Sequence, residues 1–163
     1  MIIVTMGVAG AGKTTVGQAL AAALGWRFLD ADSLHSVVNI EKMAHGIPLD
    51  DSDRAPWLAA IHFRIAQSFG RGEHLVVACS ALKQCYRQLL AQDVAIVWIY
   101  LKAGPEVIRG RLCNRRLHYM QADMLCSQFA DLEEPADAIV IDATAAPASI
   151  VHSILDVLAV QKK

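Results

Sequence analysis

The chain alternates short apolar runs with longer amphipathic segments. Several of the short runs are continuously apolar, as expected for strands buried on both faces of a parallel sheet. Segments with helical spacing, bounded by glycine or proline, separate the runs. This alternation predicts an α/β fold with a parallel sheet. The five predicted strands are Ile2–Met6, Arg27–Asp30, 75–79, 95–101 and 138–142.

Two predicted helices frame this pattern. Lys13–Leu24 follows the first strand and precedes Gly25, which suits a C-terminal cap. Pro147–Val160 is amphipathic, and Ile150 and Ile154 belong to its apolar face. Because the 163 residues show no internal repeat or long linker, we expect a single domain, residues 1–163.

Two segments are longer than a simple strand connection needs. Residues 31–74 separate the second and third strands, so we expect an insertion of two or three helices there. One of these helices is predicted to have Asp53 as its cap and Pro56 in its first turn. Residues 103–137 separate the fourth and fifth strands and are predicted to contain two helices.

Polar residues follow the carboxyl ends of the strands, where ligands bind in open parallel sheets. Both long segments leave from this edge, so both can close over a ligand. A glycine-rich turn follows the first strand, and the other polar residues at these ends are Asp30, Asp32, Ser80 and Asp142.

The glycine-rich turn fits Gly-x-x-x-x-Gly-Lys-Thr, the phosphate-binding P-loop, and lies between a strand and a helix as that motif requires. Its glycines let several N–H groups face one polyphosphate, and the helix N-terminus adds partial positive charge. A glycine-rich turn with a chance lysine is the alternative. The residues predicted to bind the nucleotide are Gly7, Val8, Ala9, Gly10, Ala11, Gly12, Lys13, Thr14 and Thr15.

Phosphoryl transfer suggests individual roles around this turn. Lys13 can reach the β- and γ-phosphates, and the Thr14 hydroxyl can bind Mg²⁺. The reaction also needs one carboxylate near the metal and one that orients the acceptor hydroxyl. We assign Asp30 to the metal and Asp32 to the acceptor. Turn or helix-cap duty is the alternative for both.

An arginine-rich segment follows the fourth strand. Such a cluster is often a solvated helix face, but beside a P-loop it can clamp phosphates. Arg111 and Arg115 are four residues apart and share a helix face, so they are the predicted phosphate ligands, with Arg115 in a catalytic role. Arg109 and Arg116 are interpreted as surface charges.

Isolated cations elsewhere suit an anionic acceptor such as a carboxylate. Arg54 lies in the insertion, and Lys83 and Arg87 share a helix face after the third strand, so all three can face one cleft. His35 follows Asp32 closely and can offer a hydrogen bond to a polyol. An ordinary surface position is the alternative for each of them.

Composition narrows the function classes. The chain is 55% apolar and 19% charged, with a formal net charge of −1 and no long basic run, which argues against a nucleic-acid-binding protein. No apolar run approaches the roughly 18 residues that a membrane span needs. The four cysteines have no CxxC spacing and the six histidines no ligand spacing, so we expect free thiols in a reducing cytoplasm and no zinc site.

Several blocks of the sequence resemble the bacterial gluconokinases. Two blocks are far more specific than the P-loop: Asp-Asp-x-Asp-Arg-x-Pro-Trp, which ends at Trp57, and Cys-Ser-Ala-Leu-Lys, which ends at Lys83. Further similar blocks follow in the family's order over most of the chain. They lie at 28–35, 39–43, 46–58, 86–87, 99–102, 127–129 and 132–135.

The resemblance implies a cytoplasmic, usually dimeric kinase of the shikimate- and adenylate-kinase-like P-loop fold, with strand order 2-3-1-4-5. It implies MgATP-dependent phosphorylation of D-gluconate on its 6-hydroxyl, with residues 31–74 as the acceptor-binding insertion and 111–122 as a lid. Residues 144–147 would lie near the adenine. The implied gluconate-binding residues are Asp32, His35, Arg54, Lys83, Arg87 and His118.

Two alternatives remain at this stage. One is a kinase of another hydroxy acid, as in shikimate kinases, although that family has a glycine triplet where this chain has Ala78-Cys79-Ser80-Ala81. The other is a nucleotide-binding protein without catalysis. Such a protein would not need both aspartates and the arginines of the lid. In that lid, Leu117 replaces a flexible glycine that is common in the family. We therefore expect the conformation or the closing rate of the lid to differ from that of typical family members.

Overall fold

The computed structural model describes residues 1–114 and 122–160. Within these ranges, one five-stranded parallel sheet has the order β2-β3-β1-β4-β5, as predicted. β1 is the central strand, and all five of its residues are buried because β3 and β4 flank it and helices cover both faces. The strands are β1 Ile2–Met6, β2 Arg27–Asp30, β3 Leu75–Ala78, β4 Ile96–Lys102 and β5 Ile139–Asp142.

Helices cover both faces of the sheet and give it three layers. The described helices are α1 Lys13–Leu24, α2 Val37–Ala44, α3 Asp51–Gly70, α4 Gln84–Leu90, α5 Pro105–Asn114, α6 Ala122–Asp131 and α7 Pro147–Val160. No helix in the described part of the chain is both long and apolar enough to cross a bilayer.

The two faces of the sheet have separate hydrophobic cores. On one face, Ile3 of β1 packs with Leu20 of α1 and Ile154 of α7, all fully buried. On the other face, Val4 of β1 packs in a cluster that includes Ile61 of α3. β1 can serve both cores because successive side chains of a strand point to opposite faces.

The insertion contains a short 3₁₀ helix, Ala31–Leu34, followed by α2 and α3, as predicted. The start of α3 differs from the prediction. Asp50 is its N-cap, and Asp53 lies at the third helical position, where the two aspartates form a reciprocal capping box. Pro56 therefore lies in the second turn, not the first.

We expect Gly17→Ala to destabilise the fold. A Cβ atom at Gly17 would lie 2.8 Å from the Phe28 ring and 3.1 Å from Thr5 Oγ1, between α1 and the sheet. Overpacking of this kind costs about 1–3 kcal/mol. The control is Gly110→Ala in α5, where a Cβ atom meets nothing within 4 Å. Because alanine has a higher helix propensity than glycine, this variant should be more stable than the wild type. Urea unfolding of both variants measures the difference, and equal effects would contradict the packing argument.

Candidate active site

The P-loop leaves the end of β1 in a conformation that requires glycine. Gly7 has φ +139°, and a Cβ atom there would lie 2.8 Å from the carbonyl oxygen of Leu101 in β4. Gly12 has φ +100° and is the N-cap of α1. Both positions therefore exclude larger residues, and the loop curls tightly onto the helix N-terminus, where backbone N–H groups and the helix dipole favour anions.

Lys13, the first residue of α1, folds back onto the loop. Its Nζ donates a hydrogen bond to the carbonyl oxygen of Val8, 3.0 Å away. Burial lowers the pKa of Lys13, and the negative charges of Asp32 and Asp30 oppose that shift. The lysine is thus held within the P-loop, beside two carboxylates, where it can meet a phosphate.

Thr14 and Asp30 form a pair suited to a divalent cation. Thr14 Oγ1 donates to Asp30 Oδ2 at 2.9 Å, while Asp30 Oδ1 accepts from the backbone N–H of Asp32. Hydroxyl and carboxylate oxygens are the hard ligands that Mg²⁺ prefers, and it usually takes only one or two carboxylates plus phosphate oxygens. These two residues therefore fit the metal site predicted from the sequence.

Asp32 lies between the nucleotide side and the insertion. It is exposed on the 3₁₀ helix that follows β2. Burial lowers the pKa of both Lys13 and His35, and the negative charge of Asp32 opposes this shift at each of them. The carboxylate can therefore act on a ligand bridging the P-loop and the insertion. Cys79 also lies nearby, but burial raises the pKa of its thiol to about 12, so the group stays protonated.

His35 is held by an aromatic contact. Its ring stacks on Trp57 of α3 with centroids 4.4 Å apart and planes 8° from parallel. Trp57 is fixed in turn because its Nε1 donates to the carbonyl oxygen of Ala31 at 2.7 Å. Burial lowers the pKa of His35, and the charge of Arg54 lowers it further against the opposing effect of Asp32. The imidazole is therefore neutral near pH 7 and can both donate and accept a hydrogen bond.

Arg54 and Lys83 meet around Tyr86, and we call these three residues the cation cluster. The Arg54 guanidinium donates to Tyr86 Oη at 3.0 Å, and Lys83 Nζ lies 5.5 Å from the centroid of the tyrosine ring. Two carboxylates balance the cations. Asp131 accepts from Arg54 at 3.1 Å, and Asp51 accepts from Lys83 at 2.8 Å.

The structure brings Arg54 and Lys83 together, as the sequence suggested, but it places Arg87 elsewhere. Arg87 is only 7% exposed, and its Nη1 donates to the carbonyl oxygens of Ala81 at 3.0 Å and Leu82 at 2.9 Å. Ala81 has φ +43°, an uncommon conformation for a residue with a side chain. Arg87 thus supports the strained loop between β3 and α4. Lys83 ends that loop, since α4 begins at Gln84.

Arg111 of α5 lies beside a cavity next to the P-loop. Its guanidinium donates to the carbonyl oxygens of Ala143 and, at 3.5 Å, Ala11. It is therefore on the predicted nucleotide side, at the wall formed by the segment after β5. Arg115 and His118 lie outside the described residues, as does most of the predicted lid. The cavity has a volume of about 360 Å³ and is lined by Gly10, Ala11, Gly12, Thr15, Val16, Arg111, Ala143, Ala145, Pro147 and Ile150.

Sequence reasoning missed four residues that contact this site. Tyr86 and Asp51 organise the cation cluster, and Asp131 and Gln128 reach the site from α6. All four lie in or beside blocks that resemble the gluconokinases. That resemblance marked the positions without giving them roles.

The sheet order, the P-loop and the Thr14–Asp30 pair define the class of P-loop kinases. A family model described as "AAA domain" matches residues 2–139. The chain is 46% identical over 136 residues to a gluconokinase of Gluconobacter oxydans (strain 621H), covering 83% of this chain and 76% of the relative. It is 40% identical over 162 residues to the thermoresistant gluconokinase of Escherichia coli (strain K12), covering 96% of this chain and 93% of the relative.

A solved structure of a gluconokinase from Sinorhizobium meliloti 1021 superposes with a TM-score of 0.88 at 41% identity, covering 96% of this chain and 90% of that one. Within the P-loop kinases, the chain therefore belongs to the gluconokinase family, as its motifs indicated.

We expect Arg87→Met to destabilise the protein by about 1–3 kcal/mol, because the buried carbonyl of Ala81 loses its donor. The control is Arg109→Met, which removes only an exposed ion pair with Glu106 and should change stability little. Thermal unfolding and acceptor KM should be measured for both variants. Unchanged stability with a raised acceptor KM would instead support the direct acceptor contact predicted from the sequence.

Proposed function

We propose that the protein transfers the γ-phosphoryl group of ATP to the 6-hydroxyl of D-gluconate, giving 6-phosphogluconate. The observation that carries this proposal is the pairing of two anion sites at one sheet edge, with Asp32 close to Lys13 of the first site and to His35, which lies near Arg54 of the second. One is the P-loop with Lys13, and the other is the cation cluster. The relatives named gluconokinase support the choice of acceptor.

On the nucleotide side, the backbone N–H groups of residues 7–15 receive the β- and γ-phosphates. Lys13 turns from the Val8 carbonyl to the migrating phosphoryl group, and its charge stabilises the transition state. Thr14 and Asp30 would hold Mg²⁺, and the bound ion would supply positive charge that neutralises the phosphates. Arg111 lines the cavity beside the P-loop, and its predicted phosphate contact stays a prediction. A phosphate contact from Arg115, with Arg115 as a catalytic residue, remains a prediction.

On the acceptor side, gluconate needs different partners at its two ends. Its carboxylate and its 6-hydroxyl are at opposite ends of a six-carbon chain, so its anion site must lie apart from the group that orients the hydroxyl. Asp32 orients that hydroxyl and accepts its proton. Arg54 and Lys83 bind the carboxylate, and neutral His35 donates to a hydroxyl in between. Contacts from His118 and Arg87 stay predictions.

Two further features rest on the family resemblance. The protein is proposed to act as a cytoplasmic enzyme and to form a homodimer. Size-exclusion chromatography with light scattering measures the second directly.

The deciding experiment is turnover of MgATP with gluconate, shikimate and glucose in parallel. We expect ADP formation with gluconate, and phosphorus NMR should place the phosphate on carbon 6. Lys13→Ala should lower kcat/KM by about a hundredfold or more while keeping the fold, because the transition state loses its charge donor. Turnover with shikimate but not with gluconate would show that the proposed acceptor is wrong and that the protein phosphorylates another hydroxy acid. ATP binding without any transfer would leave a non-catalytic nucleotide-binding protein.

Arg54→Ala should raise the KM for gluconate about tenfold or more and change the KM for ATP much less, because it removes a cation from the carboxylate site. Arg64→Ala is the matched control, since it removes an exposed arginine from the same helix. Initial-rate kinetics with each substrate varied in turn separates the two effects. A larger effect on ATP would move Arg54 to the nucleotide side.

A further inference from the structure

Helix α6 provides a hydrogen-bond acceptor for a backbone N–H of the P-loop. Gln128 Oε1 accepts a hydrogen bond from the backbone N–H of Ala9 at 2.6 Å. Ala9 is one of the P-loop residues whose N–H groups are proposed to receive phosphate. A phosphate oxygen at this N–H must therefore displace the Gln128 side chain.

The same helix also occupies the acceptor side. Asp131 lies three residues after Gln128, so the two side chains project from one face of α6. Its carboxylate lies 3.1 Å from Arg54 and 3.8 Å from Lys83. A carboxylate at a helix C-terminus is unfavourable beside the negative end of the helix dipole. The two cations of the cluster offset this unfavourable position.

The chain immediately after α6 is anchored. The backbone N–H of Glu133 donates to the carbonyl oxygen of Leu82 at 3.0 Å, and the Glu133 carboxylate accepts from the backbone N–H of Gln84. These two contacts flank Lys83, one in the loop before it and one at the first residue of α4. The last turn of α6 thus links this loop to the P-loop through Gln128.

We propose that Gln128 and Asp131 are positioning residues that couple the binding of the two substrates. This rests on the proposed function, since it takes the P-loop as the ATP site and the cation cluster as the gluconate site. Each side chain bonds to a group that one of the two substrates is proposed to bind. Both side chains lie on one helical turn, so a ligand that displaces one contact weakens the other and prepares the second site.

The size of the coupling follows from the contacts that compete with the ligands. One hydrogen bond of ordinary strength corresponds to about a fivefold change in affinity. Coupling between two ligands is reciprocal, so gluconate must tighten nucleotide binding by the same factor that the nucleotide tightens gluconate binding. We expect that factor to be about fivefold or more in the wild type.

The experiment measures dissociation constants by calorimetry for the magnesium complex of a non-hydrolysable ATP analogue, with and without saturating gluconate, and the reverse. Asp131→Asn should tighten gluconate binding in the absence of nucleotide, and Gln128→Ala should tighten binding of the analogue alone. Both variants should reduce the coupling factor towards one. Gln128→Glu keeps an acceptor for the Ala9 N–H and should therefore retain the coupling. Its negative charge should repel the phosphates and weaken binding of the ATP analogue.

Glu73→Gln is the matched control, because it removes a surface ion pair with Arg27 on another part of the sheet and should leave coupling at the wild-type value. Thermal unfolding confirms that each variant is folded. A wild type that phosphorylates gluconate without coupling would overturn this inference and leave the proposed function intact. Weaker gluconate binding in Asp131→Asn would also overturn it, because Asp131 would then contact the acceptor directly. A wild type that does not bind gluconate overturns both.

Discussion

The burial of β1 on both faces is the constraint from which the site follows. All five of its residues are inaccessible to solvent between β3 and β4, and the chain leaves this strand at the carboxyl edge of the sheet. There Gly7 passes so close to Leu101 that no side chain fits. The P-loop is thereby fixed on a rigid base, and β2 and β3 end beside it. Asp30 and the loop before Lys83 reach the same edge because parallel strands place their carboxyl ends together.

In the described part of the chain, several groups proposed to bind ligands are already satisfied by the protein itself. Lys13 bonds to a carbonyl of its own loop, Ala9 to Gln128, and Arg54 to Asp131. Polar groups removed from water need such partners, since leaving them unsatisfied costs about 1–3 kcal/mol each. Substrate binding is therefore an exchange of partners. Its affinity depends on how much better the ligand is than the internal partner, not on the whole strength of the new contacts.

The sequence predicted the strands, the P-loop and the insertion because each depends on local order: apolar runs, glycine spacing and capping residues. It did not predict the hydrogen bonds of Arg87 to Ala81 and Leu82, since a positive charge on an amphipathic helix gives no sign that the preceding loop presents its carbonyl oxygens to that side chain. The contact of Gln128 with Ala9 joins residues 119 positions apart. No periodicity encodes such a contact, which depends on how α6 packs after the sheet has formed.

The charge balance of the cation cluster bears on acceptor selection. Arg54 and Lys83 carry two positive charges, and Asp51 and Asp131 neutralise them. Under the proposed function, an acceptor carboxylate can replace one of these aspartates and keep the cluster neutral. A neutral polyol brings no charge, so displacing an aspartate would leave a partly buried cation without its partner, at a cost that solvent screening reduces. The internal aspartates would then weaken the binding of uncharged sugars relative to gluconate, because an uncharged sugar cannot replace the contact that it displaces.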